Sequence, residues 1–213
     1  MADPASGTRY SSRGGGGDLL LIGRRLTLRA LNPADFSAWR EVRIRNAEWL
    51  TKWEPRRIPG QADPVENRDA FSMRCNARKR ERQLGTGYGF GIFVDGRTFC
   101  GEINLNSVQR GPFQSSYVGY WIDEAQAGNS YMSEALVLVA QCAFEQLNLH
   151  RIQIAIIPRN NNSRRVVEKL DIREEGLARR YLEINGVWED HIRYGLTAED
   201  WNERGTQLIN DWL

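Results

Sequence analysis

Near the middle of the chain a β-branched and aromatic run, Tyr117-Val-Gly-Tyr-Trp-Ile122, passes through a stretch of small residues into a helical pattern. Ala135, Leu136, Val139, Ala140, Ala143 and Leu147 recur at the spacing of an amphipathic helix, so the junction reads as strand, loop and helix. This order constrains both fold and chemistry. The first turn of a helix has backbone N–H groups with no intrahelical partner, and the helix dipole adds partial positive charge there. An anion such as a phosphate fills that vacancy. Small residues also suit any tight connection, so the local pattern alone leaves open whether this loop, from Ala127 to Met132, binds a ligand.

The segments around the junction extend it into a sheet. Tyr88 to Val94, the turn Asp95-Gly96, Phe99 to Val108, a Gly111-Pro112 turn and Tyr117 to Ile122 read as a meander. Arg151 to Ile157 is a buried strand, a helix follows from Asn160, and two further strands flank the hairpin signal Asn185-Gly186. Upstream, Leu26, Leu28 and Ala30 alternate as in a half-buried strand. Asn32-Pro33 caps a helix carrying Phe36, Trp39, Val42 and Arg43, a loop surrounds Trp53 to Gly60, and a polar helix runs from about Pro64 to Arg82. The tail from Ala198 carries Trp201, Leu208, Ile209, Trp212 and Leu213, and is expected as a helix packed on the body or on a second copy in a homodimer. The sum is a mixed α/β (α+β) sheet protein.

With 213 residues, 41% of them hydrophobic, the chain is long enough for one core, and residues 19–213 are expected as a single domain. Residues 1–18, with Gly14-Gly-Gly-Gly17, are expected as a flexible arm. A net charge of +2 is too small to argue nucleic-acid binding. The clusters Arg78-Lys-Arg-Glu-Arg82 and Arg179-Arg180 read as solvated faces, able at most to steer an acidic cofactor. Cys75, Cys100 and Cys142 lack metal or disulfide spacing, so no metal is expected and the thiols read as reduced. Leu19-Leu-Leu-Ile22 is too short to span a bilayer, and a soluble, cytoplasmic protein without membrane contact is expected.

A series of segments in order resembles the RimJ/RimL-type ribosomal-protein N-acetyltransferases of the GNAT superfamily. They are Arg25-Leu-Thr-Leu-Arg29 with Asp35 and Trp39, Asn46-Ala-Glu-Trp-Leu50 with Trp53-Glu-Pro55, Gly119-Tyr-Trp-Ile122, and Leu149-His-Arg-Ile152 with Pro158-Arg-Asn160. Ser163-Arg-Arg165, Arg173-Glu-Glu-Gly176, Arg180-Tyr-Leu182 and Trp188-Glu-Asp-His191 complete the series. The resemblance implies a mostly antiparallel central sheet flanked by helices and acetyl transfer from acetyl-CoA to an amine. The loop departs from the family's Gln/Arg-x-x-Gly-x-Gly/Ala pattern, because Ala127, Ser130 and Met132 stand at its three defining positions. Leu170-Asp-Ile172 likewise replaces Leu-Gly-Phe, and Asp171 is expected to add negative charge near an anionic cosubstrate.

In that family the amine attacks the thioester directly, with no covalent nucleophile and no metal. The resemblance assigns acetyl-CoA to the N–H groups of Ala127, Gly128, Asn129, Ser130, Tyr131 and Met132, to the edge of Ile122, and to Asn160, which is equally a good helix cap. Where many relatives carry a tyrosine acid this chain has Val167, and Ser163 is the hydroxyl offered to the departing thiolate. Glu102 is the candidate base; alternation puts it with Asn104 and Asn106 on one face, opposite Ile103 and Leu105. Trp53, Glu54, Tyr120, Tyr181, Trp188 and His191 are candidates for the acceptor pocket, as is Asp123, with Glu54 beside tryptophans suited to an ammonium group. An α-amine titrates near about 8 against about 10.4 for lysine, so weak evidence for a base favours a protein N-terminus as acceptor. Two readings stay open beside it: a GNAT-fold binding or regulatory protein without acyl transfer, and an acetyltransferase for a small amine such as an antibiotic or polyamine.

Overall fold

A computed structural model describes residues 19–57 and 60–213; the expected arm, residues 1–18, lies outside the described residues. The apolar run at its start forms strand β1 (Leu20–Ile22), which the sequence pattern alone does not separate from a loop. It pairs antiparallel with β2 (Leu26–Arg29), Leu21 opposite Leu28, and both leucines are fully buried. Helix α1 (Phe36–Arg45) follows a short 3-10 turn capped by Asn32, and the five-residue α2 (Ala47–Thr51) leads to the Trp53 loop. Helix α3 (Arg68–Leu84) starts later than Pro64. The Asn67 side chain accepts from the N–H groups of Asp69 and Ala70, and Gly85, at φ 69°, ends the helix in the left-handed conformation.

The meander appears as expected: β3 (Tyr88–Val94), β4 (Thr98–Gln109) and β5 (Ser115–Ile122). Then come α4 (Tyr131–Gln141), a π-helical turn (Cys142–Gln146), β6 (Arg151–Ile156), α5 (Asn161–Lys169), the hairpin β7 (Arg173–Ile184) and β8 (Val187–Thr197), and α6 (Ala198–Trp212). At the hairpin tip Asn185 and Gly186 both take positive φ, 47° and 84°, as a two-residue turn between twisted strands requires. The sheet order is β1-β2-β3-β4-β5-β6-β8-β7. Every neighbouring pair is antiparallel except β5 and β6.

That exception opens the molecule. The parallel pairing ends at Tyr117↔Gln153, whereas β5 stays paired with β4 up to Ile122↔Gly101 and β6 stays paired with β8 up to Ile156↔Ile192. The two strands therefore diverge, and each carries its half of the sheet with it. Helix α4 plugs one face of the sheet. It is buried from Met132 to Gln141 on all sides, which corrects the amphipathic reading, and it packs with Ile103, Leu105 and Ile152 in the larger core. Trp39, Val42, Phe71, Cys75, Phe93 and Phe99 form a smaller core under α1 and α3. Helix α6 lies on the body: Trp201 stacks on Phe144 at 5.5 Å, and its indole N–H donates to Glu145 at 3.1 Å. No helix among the described residues is long and apolar enough to cross a membrane.

Candidate active site

The divergence of β5 and β6 opens a cleft of about 1190 Å³. It runs between the first turns of α4 and α5 on one side and α1, α3 and the Trp53 loop on the other. The first ladder bond of α4 is Glu134 N–H to the Ser130 carbonyl at 3.1 Å, so the N–H groups of Tyr131, Met132 and Ser133 precede the ladder. Ser130 makes no side-chain cap. An uncapped helix start thus faces the cleft, which Gly128, Ser130, Tyr131 and Met132 line, as does Ile122 from the end of β5. Ala127 also lines it, while its own N–H is taken by the Glu124 carbonyl at 3.0 Å, and Asn129 stands outside, its carbonyl accepting from Arg25.

Ser130 sits at φ 62° and Gly128 at φ 85°. Serine therefore adopts the left-handed turn that a glycine would take without steric cost. The Lys169 ammonium, at the end of α5, donates to the Ser130 hydroxyl at 2.8 Å and brings a cation to the loop. Lys169 belongs to no motif of the sequence; its place at the end of α5, where the helix returns towards the loop, is the signal that marks it. Asp171 is fully exposed, lies outside the cleft and pairs with Arg204 at 2.7 Å, so the expected negative charge at the cosubstrate loop is not there.

The start of α5 differs. Asn160 accepts the Ser163 N–H at 3.2 Å, capping the helix, and also lines the cleft. With its backbone satisfied, Ser163 turns its hydroxyl to Tyr120 at 3.0 Å, and the Tyr120 hydroxyl donates to the Ser163 carbonyl at 3.1 Å. Tyr120 thus braces Ser163 across the gap between β5 and α5. Burial pushes the Tyr120 phenol far above its ordinary range, so it stays a neutral donor.

On the other side Glu102, Asn104 and Asn106 line the cleft from one face of β4, while Ile103 and Leu105 point into the core. Glu102 is 3% exposed rather than solvent-facing. One carboxylate oxygen accepts from the Trp39 indole at 2.7 Å and the other from Arg74 at 2.5 Å. Glu54 is similarly occupied, by Arg43 at 2.6 and 2.7 Å, so its charge is not free for an ammonium group. Trp53 lines the cleft and lies beneath Lys52 and Arg159, each 5.5 Å from its ring. Tyr181 and His191 also line it, with ring centroids 5.7 Å apart. Trp188 does not: it is 60% exposed on the outer surface of the hairpin.

Asp123 is not an acceptor-pocket residue. It is buried, pairs with Arg45, accepts from Asn46 at 2.8 Å, and caps the turn that opens the loop. Asn46 in turn accepts the Glu124 N–H at 2.8 Å. The α1–α2 corner therefore latches the beginning of the cosubstrate loop. Burial alone would raise the Asp123 pKa, but the Arg45 and Asn46 hydrogen bonds outweigh it and hold the carboxyl below its ordinary range. Burial pushes the three thiols up, Cys75 to about 11 and Cys100 and Cys142 to about 12, so none is a ready nucleophile.

Residues 25–173 match the family model of the acetyltransferase (GNAT) domain. The chain is 34% identical over 174 residues to the probable N-acetyltransferase YjcK of Bacillus subtilis, covering 81% of this chain and 93% of that protein. It is 31% identical over 180 residues to the [ribosomal protein uS5]-alanine N-acetyltransferase of Escherichia coli, covering 83% and 90% respectively. Among solved structures, Mycobacterium smegmatis RimJ in complex with CoA-disulfide superimposes with a TM-score of 0.78 at 29% identity, covering 96% of this chain and 91% of that one.

Proposed function

The chain belongs to the GNAT acetyltransferase family, and we propose that this N-acetyltransferase moves the acetyl group of acetyl-CoA onto the N-terminal α-amine of a ribosomal or similar protein. The observation that carries the reading is the uncapped start of α4 facing the cleft, with Lys169 beside it. Backbone N–H groups and a nearby cation suit the phosphates of acetyl-CoA. The relative from M. smegmatis was solved with a CoA-disulfide, and the E. coli relative is named for an alanine of protein uS5.

In this reading the amine nitrogen attacks the thioester carbonyl carbon, an N–C bond forms, and the C–S bond breaks. Ser163, positioned by Asn160, turns its hydroxyl hydrogen from Tyr120 to the departing sulfur as the C–S bond breaks. The cosubstrate lies between Ile122, Gly128 to Met132 and Asn160, and the acceptor approaches past Trp53, Tyr181 and His191. Glu102 keeps Arg74 and Trp39 in place rather than taking a proton, because each of its oxygens already accepts a hydrogen bond from one of them. The partners are acetyl-CoA and a protein N-terminus in the cytoplasm, within one folded domain spanning residues 19–213.

Two observations weigh against the alternatives. Ser130 already adopts the left-handed turn, so the missing glycine has not closed the loop, which disfavours a binding protein without transfer. On the acceptor side Arg43, Arg74 and Arg78 face Glu54 and Glu102, a surface with no excess negative charge to attract a polyamine. Acetyl-CoA consumption is measured with peptides beginning in Ala or Ser, with mass spectrometry placing the acetyl group. Turnover on the α-amine is expected. Absence of turnover with any amine overturns the reading, and calorimetry with acetyl-CoA then separates a binding protein from one without the site.

A further inference from the structure

We propose that His191 is the proton acceptor for the attacking amine, with the lone pair on Nε2 as the base. The inference rests on the reading of the cleft as an N-acetyltransferase site. Its first support is by geometry: both oxygens of Glu102 and both of Glu54 already accept hydrogen bonds, from Trp39 and Arg74 and from Arg43, so these carboxylates of the inner cleft are committed to holding protein side chains. His191 lines the same cleft and is only 2% exposed.

Its ring is fixed in a definite tautomer. Nδ1 lies 3.0 Å from the carbonyl oxygen of Glu189, an atom that can only accept, so Nδ1 carries the hydrogen and the neutral ring keeps its lone pair on Nε2. A neutral imidazole nitrogen can take a proton from the attacking amine and release it again.

The strand opposite is distorted in a way that serves this ring. Between the pairs Ala178↔His191 and Leu182↔Glu189, residues 179–181 of β7 face Asp190 alone. Arg180 takes a left-handed φ of 47° that costs a non-glycine residue strain, and the Asp190 carboxylate holds it by accepting its N–H at 2.8 Å. The bulge aims Tyr181 into the cleft edge-on to His191. The charged and titratable groups around the ring have partners of their own, although the Glu189 charge also acts on His191. Glu189 pairs with Arg159, Asp190 holds Arg180, Arg193 reaches Gln153 across the Tyr181 ring, and Tyr181 itself bonds to Tyr117. The proton leaves the attacking nitrogen for Nε2 as the N–C bond forms, and the imidazolium returns it to water after the thiolate has departed.

The test combines kinetics and spectroscopy on the full chain. His191→Gln is expected to lower kcat on an Ala-initiated peptide about 10²-fold while acetyl-CoA affinity stays within about twofold. It should also abolish the acid limb of kcat/KM, and added imidazole should restore part of the rate in His191→Ala. Glu102→Gln should keep that limb. The chain has 2 histidines, and His150 pairs with Glu199 at the surface, so ¹⁵N spectra assign the His191 tautomer directly and without substrate. A proton on Nε2, an acid limb retained in His191→Gln, or one lost in Glu102→Gln overturns the proposal. Failure of the wild type to acetylate any amine overturns the acetyltransferase reading, and the spectrum still decides the tautomer.

Discussion

Two helices begin at the same cleft, and they begin differently. Helix α4 starts uncapped from a left-handed serine, leaving its first N–H groups directed at the gap; α5 starts from Asn160, which closes its own first turn. The open start suits an anion that arrives from solution. The capped start fixes Ser163 and frees its hydroxyl for Tyr120, so one terminus is built to bind and the other to position.

The contrast predicts separable defects. Removing the positioned hydroxyl by Ser163→Ala should have the largest effect, lowering kcat about 10²-fold with acetyl-CoA affinity unchanged. Steady-state kinetics beside calorimetry checks this, and a loss seen only in KM would assign Ser163 to binding. Next, Asp123→Asn should destabilise the fold by about 2 kcal/mol, because it strips the latch behind the α4 loop of its charge. Since the Asp123 pKa is lowered in the folded state, its contribution is complete above the ordinary carboxylate pKa of about 4 and fades as pH falls through the lower folded value. Melting curves of the two proteins should therefore converge in acid.

Smaller effects sharpen the same distinction. Lys169→Ala should weaken acetyl-CoA binding about tenfold, by calorimetry, and leave the acceptor KM alone. Asn160→Ala should cost about 1 kcal/mol of stability through the lost cap, read in denaturant melts, and lower kcat through the loosened Ser163. Smallest, Ser130→Gly should relieve the left-handed strain, about 1 kcal/mol, and tighten coenzyme binding a few-fold. Unchanged affinity would mean that the strained loop already presents its N–H groups as well as a glycine would.

Particular residues show how far the sequence could be read. The hairpin at Asn185-Gly186, the meander strands and the onset of α6 at Ala198 follow from period and turn chemistry, and the structure places them there. Strand β1 escaped because three residues are too few for a period, and its identity comes from pairing with β2. Helix α4 looked amphipathic, yet its contacts are set on every side by the sheet, α5 and α6. Glu102 and Glu54 were legible as carboxylates in plausible places. Their occupation by Arg74, Trp39 and Arg43 was not, since these partners sit on other elements and meet the carboxylates only through the fold.

The sequence by itself determined the family, the order of the longer elements and the strand-loop-helix junction, because these depend on residue type and spacing between near neighbours. Tertiary structure alone decided where β5 and β6 part, that Tyr120 braces Ser163, that Lys169 reaches Ser130, and that Trp188 faces outward. Those outcomes rest on contacts between residues distant in the chain. Local propensity carries no term for them, and the geometry of the splayed eight-stranded sheet supplies it.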